Sequence, residues 1–211
     1  KMNEKQHDYV GIIIQSGNHL LGLINDLLDL VRIDTNKNKV TYTDVDLKRF
    51  IEDTAATMHP QANEKDLALT EVISLPNGNL AVRWDESKMR QVLINLIANA
   101  IKFTPHGGSI TVACCSAKGD MVEIKVIDNG IGIEDDMKEQ VFLAFEQADN
   151  SYTRIYEGVG LGLAITRSIV SLHHGRVWIE DTAGGGTTVH MILPMDAETT
   201  KEDDNAENLG C

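Results

Sequence analysis

One helical pattern in the sequence carries uncharged amides on a single face. Gln91, Asn95 and Asn99 are spaced four residues apart, and Lys102 follows three residues later. Residues at these spacings share one face of a helix, and the rest of this helix is strongly apolar. A solvated face is one interpretation, but such faces usually carry Glu or Lys. The amides therefore favour an oxygen-donor set for a hard cation such as Mg²⁺, which takes few protein ligands beside phosphate oxygens.

Three glycine-containing segments could let a ligand approach the backbone closely. In "VIDNGIGIEDD" a strand ends at Asp128, and Gly130 and Gly132 follow. In "EGVGLGLA" glycines stand at 158, 160 and 162, directly before a helix whose N-terminal amides could receive phosphate. The third segment, "GGGTTV", lies between two strands. Each segment alone could be only a turn or a hinge, but their occurrence together in this order predicts a nucleotide site.

The elements that must position these residues follow from the apolar pattern. The pattern predicts helices over 47–62, 86–104 with Asp85 as its cap, 136–143 and 161–174, and strands over 40–42, 67–73, 79–84, 109–117, 121–128, 176–181 and 187–193. The order is not a regular βαβα alternation, and there is no Walker A sequence. We therefore predict an α/β fold: a two-layer sandwich with a mixed sheet of about five strands and helices on one face.

Before and after this domain the composition changes. Residues 8–33 form an amphipathic helical pattern with coiled-coil-like spacing, whose glycines make it dependent on partner helices. We predict a helical segment over 1–34, a linker with a short strand over 35–46, the main α/β domain over 47–195 and an acidic, disordered tail over 196–211. The first residue is not Met and lies within the helical pattern, so the sequence looks like a piece of a longer protein.

Charge and cysteine content limit the classes of partner. The 211 residues include 19 Lys and Arg against 32 Asp and Glu, a net charge of −13, which argues against non-specific nucleic-acid binding. An anionic ligand remains compatible, because backbone amides bind phosphate without net positive charge. The three cysteines suggest neither a disulfide framework nor a metal site, so a cytoplasmic location is expected. No apolar run is long enough to span a bilayer, and no direct membrane contact is expected.

Together, these segments resemble the catalytic ATP-binding domain of sensor histidine kinases, within the ATPase superfamily shared with gyrase and MutL. "NLIANAIKFT" is similar to the N box of that family, "DNGIGI" to its G1 box, "FLAFEQAD" to its F box, "GVGLGLAI" to its G2 box and "GGGTTV" to a G3-like segment. "SGNHLLGLINDLLDLVRID" resembles the second helix of the family's dimerisation and phosphoacceptor hairpin. The resemblance implies a Bergerat-type ATP-binding fold, with ATP and Mg²⁺ as ligands.

The resemblance also implies a role for each site residue. Asp128 would accept a hydrogen bond from the adenine amine, which selects ATP over GTP. Asn99, with Asn95, would hold Mg²⁺ against the phosphates, Lys102 would reach phosphate oxygens, and Phe103 would cover the base. The implied catalytic set is Gln91, Asn95, Lys102 and Arg154, the last in a lid over 147–158. The implied ATP-binding set is Asn95, Asn99, Lys102, Phe103, Asp128, Gly130, Gly132, Ile133, Arg154, Gly158, Val159, Gly160, Leu161, Gly162 and Thr187.

The implied activity is transfer of the ATP γ-phosphoryl to a histidine, and from there to an aspartate of a response-regulator receiver domain. The family's phosphoacceptor motif, a His followed by Glu or Asp and then Arg-Thr-Pro, does not occur in this sequence, and His7-Asp8 lacks that context. The acceptor would lie on the first hairpin helix, and two hairpins would form a homodimer. Two alternatives remain: a pseudokinase that binds ATP without transfer, and a related serine kinase, which would lack the helix at 8–33.

Overall fold

The computed structural model describes residues 40–146 and 160–199, together with residues 9–11, 13, 14, 17 and 24. The chain divides into two compact units, Lys1–Asn38 and Lys39–Cys211. In the first unit the seven described residues have helical conformation, and the rest of the helix predicted over 8–33 lies outside the described residues, as does the linker over 34–39. Among the described helices, none combines the length and apolarity needed to cross a membrane.

The described part of the second unit consists of three helices and seven strands. The helices are α1 (Leu47–Glu64), α2 (Glu86–Phe103) and α3 (Gly162–Leu172). The strands are β1 (Thr43–Asp46), β2 (Ala68–Ser74), β3 (Ala81–Trp84), β4 (Ser109–Ala117), β5 (Met121–Asp128), β6 (Arg176–Asp181) and β7 (Thr187–Pro194). Both long helices start at an aspartate whose side chain accepts a backbone N–H three residues on, Asp46 for α1 and Asp85 for α2.

Five of the strands form one mixed sheet in the order β2-β4-β5-β7-β6. The β2–β4 pair is parallel, and the other pairs are antiparallel. Along β5 the residues alternate between buried and half-buried, and the buried set ends at Asp128. This period of two places one face of the strand towards the core and the other away from it. The predicted fold class, a five-stranded mixed sheet with helices, is confirmed.

The core lies between the sheet and the helices. Seven residues of α2 are buried, at spacings of three and four, so the helix presents one apolar stripe inwards. β1 and β3 form a separate antiparallel pair beside this core. Trp84 at the end of β3 is fully buried, and its indole N–H donates to the carbonyl of Pro194 at 2.7 Å. That bond ties the small pair to the last strand of the large sheet.

Two predicted elements differ from the observed ones. The strand predicted at 40–42 begins at Thr43 instead, because the Thr41 N–H donates to the Asp85 carboxylate at 3.0 Å rather than to a neighbouring strand. The helix predicted at 136–143 is a series of turns with one 3-10 turn, Gln140–Phe142. Only Val141 and Phe142 are buried there, and a short helix without an apolar face has little packing to stabilise it.

The start of the predicted disordered tail is folded. Ala197 is fully buried, and its N–H donates to the carbonyl of Arg83 at 3.2 Å. The Asp196 carboxylate accepts the N–H groups of Glu198 and Thr199 at 3.0 and 3.2 Å. Residues 196–199 therefore continue the domain, because their backbone has partners in β3 and in their own turn. The remainder of the tail lies outside the described residues.

Candidate nucleotide-binding site

The end of β5 places a carboxylate in a buried position. Asp128 is 6% exposed, and its Oδ1 accepts two backbone N–H groups, from Gly130 at 2.8 Å and from Thr187 at 3.1 Å. Both bonds go to one oxygen, so Oδ2 is the atom that a further donor would meet. The strand thus stops at a carboxylate that joins the β5 loop to the start of β7.

Burial raises the pKa of the Asp128 carboxyl above its usual value, although the N–H groups of Gly130 and Thr187 act in the opposite direction. A buried carboxylate held only by neutral donors is costly to ionise. Such a group is more typical of a ligand site than of a structural contact.

Two glycines around Asp128 have no room for a side chain. A Cβ on Gly130 would lie 2.6 Å from the carbonyl oxygen of Phe103, and a Cβ on Gly186 would overlap the carbonyl oxygen of Asp128 itself. Gly186 also has φ +108°, a conformation that other residues rarely adopt. The G1 and G3-like segments are therefore in direct backbone contact. We call the set Asp128, Gly130, Gly132, Ile133, Gly186 and Thr187 the aspartate pocket.

The C-terminal end of α2 borders this pocket. The N–H of Ile131 donates to the carbonyl of Phe103 at 3.3 Å, so the loop after β5 is bonded to the last residue of the helix. The Lys102 ammonium lies 4.9 Å from the centre of the Phe103 ring. Burial lowers the pKa of Lys102. A half-buried cation therefore stands beside an aromatic ring at the edge of the pocket.

The predicted row of amides meets the start of α3. Asn95 Nδ2 donates to the carbonyl of Gly162 at 3.4 Å, which directs the amide oxygen of Asn95 away from α3. A Cβ on Gly162 would lie 3.9 Å from the Asn95 amide and 4.0 Å from that of Asn99. Gln91, Asn95 and Asn99 are all half-buried, not solvated like an outer helix face. We call these three residues the amide row.

The structure thus brings the predicted residues into two adjoining groups along α2. Asn99 and Phe103 are one helical turn apart, so the amide row leads directly to the aspartate pocket. Gly160 and Leu161 precede α3, and the carbonyl of Gly160 accepts the N–H of Phe145 at 3.2 Å, which joins the G2 segment to the F box. Arg154, Gly158 and Val159 lie outside the described residues.

A cavity of about 440 Å³ opens beside the aspartate pocket. Its lining includes the predicted residues Gly132 and Ile133. Ile131, Gly185 and Gly186 lie in the G1 and G3-like segments but were not assigned to the site from the sequence, and Glu134, Asp181 and Thr182 lie outside those segments. The run of three glycines before Thr187 was a signal for Gly186. No local signal marks Asp181, which comes from the end of β6 and forms an ion pair with Lys138 at 2.8 Å.

The far ends of α2 and α3 are joined by a buried polar contact. The N–H of Asp85 donates to Nε2 of His173 at 3.0 Å, and Nδ1 of His173 lies 2.9 Å from the carbonyl of Ile169. His173 is fully buried, and burial lowers its pKa. The same Asp85 carboxylate accepts the Thr41 N–H. Because α3 starts at Asn95 and ends at Asp85, the two helices are antiparallel.

Comparison with known proteins agrees with this arrangement. The family described as histidine kinase-, DNA gyrase B- and HSP90-like ATPase matches residues 84–197, which contain the aspartate pocket, the amide row and α3. That match covers more than half of the chain. This protein belongs to the histidine kinase-, DNA gyrase B- and HSP90-like ATPase family.

Several curated relatives of this chain are named as histidine kinases. The chain is 38% identical over 200 residues to an uncharacterized sensor-like histidine kinase of Rhizobium meliloti (strain 1021), covering 95% of this chain and 38% of the relative. It is also 38% identical over 193 residues to the circadian input-output histidine kinase CikA of Synechococcus elongatus, covering 92% of this chain and 26% of CikA. The chain therefore spans well under half of the length of these relatives.

A solved structure gives the same result for the fold. The crystal structure of full-length ShkA in complex with AMPPNP matches with a TM-score of 0.81 and 31% identity, over 92% of this chain and 40% of ShkA. The likeness confirms the fold of the described α/β unit.

Proposed function

We propose that this chain is the ATP-binding catalytic part of a protein histidine kinase in a two-component system. The observation that carries the proposal is the buried Asp128 carboxylate, bonded to the G1 and G3-like segments and bordered by a half-buried amide row. The family match, the histidine kinase relatives and the likeness to ShkA, which was solved with AMPPNP, support it.

Recognition of the base rests on Asp128 in this proposal. Its Oδ2 accepts the exocyclic N–H of adenine, whereas guanine presents an oxygen at that position and two acceptors repel each other. Thr187 lies on the adenine side, and the Phe103 ring covers the base. Gly130, Gly132 and Ile133 supply backbone that a nucleotide can approach closely. ATP is therefore preferred over GTP.

The phosphate chain lies along the amide row in this proposal. The oxygens of Asn95 and Asn99 are the hard ligands that suit Mg²⁺, and the orientation of the Asn95 amide towards Gly162 fits that use. When bound, Mg²⁺ neutralises part of the phosphate charge. Lys102 contributes a second cation, and the N-terminal amides of α3, after Gly160, Leu161 and Gly162, receive phosphate oxygens. Arg154 and Gly158 of the lid, together with Val159 directly after it, complete the set.

The reaction requires positioning more than covalent chemistry from the protein. An imidazole nitrogen of the acceptor histidine bonds to the γ-phosphorus, the bond between that phosphorus and the β,γ-bridging oxygen breaks, and ADP leaves. Lys102 and Arg154 stabilise the charge on the transferred group, and Gln91 orients the acceptor. The products are ADP and a phosphohistidine.

The partners follow from the same proposal. The phosphohistidine passes its phosphoryl group to the aspartate of a receiver domain, and a homodimer forms through the helical hairpin. The histidine kinase ThkA, whose 23% identity to this chain concerns the fold alone, was crystallised in complex with the response regulator protein TrrA. We place this part of the protein in the cytoplasm, where ATP is available.

The test is phosphorylation in trans. The chain is incubated with radiolabelled ATP and Mg²⁺, with and without a separately supplied hairpin that carries an H box. We expect acid-labile label on the hairpin and none on this chain alone. Transfer should be slow, because no covalent link holds acceptor and donor at high effective concentration. The matched control is the Asp128→Asn chain, which should not label the hairpin.

Two outcomes would contradict the proposal in different ways. A chain that binds ATP but never labels the hairpin, at any hairpin concentration, would be a pseudokinase. Acid-labile label on this chain alone, lost on His7→Ala, would place an acceptor within the chain.

A further inference from the structure

A lysine outside the predicted site bonds to three carbonyls at the end of α2. Lys65, which follows the last residue of α1, directs its ammonium at the carbonyl oxygens of Ile101, Lys102 and Thr104, at 2.8, 2.9 and 3.2 Å. An ammonium group has three N–H donors, and these contacts engage all three. The lysine is half-buried and thirty-six or more residues from its partners along the chain.

Each of the last four carbonyls of α2 accepts a hydrogen bond, and Lys65 supplies two of these bonds. A helix leaves its last four carbonyls without helical partners. The carbonyl of Ala100 accepts the Thr104 N–H at 2.9 Å, and that of Phe103 accepts the Ile131 N–H at 3.3 Å. The two between them belong to Ile101 and Lys102 and accept from Lys65. The cation also lies at the negative end of the helix dipole, where positive charge is stabilising.

The turn that Lys65 holds carries two residues of the nucleotide site. Lys102 and Phe103 are the last two residues of α2, and the carbonyl of Phe103 is the helix contact of the loop after β5. The backbone of Lys65 reinforces the connection, because its carbonyl accepts the N–H of Gly107 at 3.3 Å. One side chain thus fixes the direction of the Lys102 and Phe103 side chains relative to Gly130.

We propose that Lys65 is a positioning residue for the nucleotide site. Its ammonium holds the last turn of α2 and, through Phe103, the glycine loop in the arrangement that receives the nucleotide. Lys65 touches neither base nor phosphate in this scheme, and it acts through Lys102 and Phe103. The inference rests on the proposed function, because it assumes that Lys102 and Phe103 contact ATP.

The experiment compares three variants with the unchanged chain. Lys65→Met keeps an unbranched side chain, one heavy atom shorter, and removes all three donors, whereas Lys65→Arg keeps the charge and N–H donors. Lys48→Met is the matched control, because Lys48 is on α1, the helix that ends directly before Lys65, is half exposed and pairs only loosely with Glu52 at 3.8 Å. Two quantities are measured: amide hydrogen exchange without nucleotide, and the Kd for AMPPNP with Mg²⁺ by calorimetry.

We expect Lys65→Met to expose the end of α2 selectively. Exchange of the Thr104 and Ile131 amides should accelerate about tenfold or more relative to the amides of β5, which report global opening. The Kd for AMPPNP should rise about tenfold. Lys65→Arg should restore most of the affinity, and Lys48→Met should change neither quantity.

The results separate this inference from the proposed function. If the unchanged chain does not bind AMPPNP, the proposed function fails, while the exchange data still test the positioning role. If it binds and Lys65→Met binds equally well, or if the Thr104 and Ile131 amides exchange at their original rates, the positioning role is wrong. Should Lys65→Met fail to fold, Lys65→Gln, which keeps two donors without charge, replaces it, and unchanged affinity in that variant would equally overturn the inference.

Discussion

The aspartate pocket and the amide row are built by different means, although they adjoin on α2. In the pocket, backbone meets backbone: Gly130 lies against Phe103, Gly186 lies against Asp128, and the carboxylate is bonded to two N–H groups. In the row, half-buried side chains project from a regular helix, and one contact at 3.4 Å joins Asn95 to α3. The pocket is therefore formed by backbone contacts that also hold the fold together, whereas the row consists of side chains on a helix that would form without them.

This difference has a consequence for substitutions. A side chain added at Gly130 or Gly186 of the pocket disturbs close packing between segments that are distant in the chain, so folding and binding should fail together. A change in the row removes a polar group from a helix whose apolar stripe lies elsewhere, so binding should fail alone. The following predictions test that contrast, beginning with the largest effect.

Gly186→Ala should be the most damaging single substitution in the pocket. The added Cβ would overlap the Asp128 carbonyl oxygen and lie 2.7 Å from Cα of Asn129, at a φ of +108°. We expect a loss of about 3 kcal/mol or more in the free energy of unfolding, from overpacking and backbone strain together. Urea denaturation measures it.

Gly185→Ala is the matched control for that prediction. Gly185 has nearly the same φ, +109°, but a Cβ there has nothing within 4 Å. The free energy of unfolding of Gly185→Ala should therefore fall only by the contribution of backbone strain, about 1 kcal/mol. Equal losses for the two variants would show that strain, not the close approach to Asp128, sets the effect.

Asp128→Asn should separate binding from folding within the pocket. The Asn oxygen can still accept from Gly130 and Thr187, but its NH₂ would face the adenine amine, so affinity for ATP should fall about 100-fold. The folded-state pKa of Asp128 is raised, so ionisation costs stability above that pKa and nothing below the unfolded value of 3.8. At neutral pH the variant should unfold no more easily than the original.

Calorimetry with ATP and urea denaturation at pH 7 provide the two measurements for Asp128→Asn. Retained affinity would contradict the assignment of Asp128 to the base. Marked destabilisation would mean that the carboxylate charge itself holds the pocket together.

Asn99→Ala should have the opposite profile to Gly186→Ala. The free energy of unfolding should change by less than about 1 kcal/mol, since Asn99 is half-buried and Ala favours a helix. Affinity for Mg-AMPPNP should fall about tenfold, and the dependence on Mg²⁺ should weaken. Asn63→Ala, at an exposed position of α1, is the control and should change neither. If Asn99→Ala unfolds and the Mg²⁺ dependence of AMPPNP binding is unchanged, the amide row stabilises the fold and does not bind the metal.

The smallest effect is expected at the far end of the two helices. Burial lowers the pKa of His173, so the fold favours its neutral form. Stability from this group is present above the unfolded pKa of 6.5 and is lost as pH falls towards the folded value. When the pH falls from 7.5 to 5.5, the free energy of unfolding of the original chain should decrease by up to about 1 kcal/mol more than that of His173→Gln.

Identical pH profiles for the original chain and His173→Gln would mean that the buried histidine does not couple protonation to folding.

The sequence predicts the parts of this site that depend on local spacing. The amide row follows from positions four residues apart on an apolar helix, and the glycine segments can be recognised from the sequence alone. Contacts between distant segments could not be predicted in the same way. No local pattern states that Lys65 reaches the end of α2, that His173 accepts the Asp85 N–H, or that Gly186 fits against Asp128.

The predicted strand at 40–42 differs from the observed one for the same reason. Its β-forming residues are suitable for pairing, but the N–H of Thr41 is taken by a carboxylate forty-four residues away. Local propensity is a weak prior where a distant polar group offers a better partner.

The contacts of Asp85 have a structural consequence. The chain enters the domain at Thr41, which is bonded to the cap of α2, and that cap is bonded through His173 to the end of α3. At its other end α3 meets Asn95, and the chain just before it carries Gly160. The C-terminal end of α3 thus lies near Thr41, where the described part of the domain begins, and its N-terminal end lies at the amide row. The residues before β1 and the amide row are therefore linked by an unbroken series of contacts through Asp85, His173 and α3.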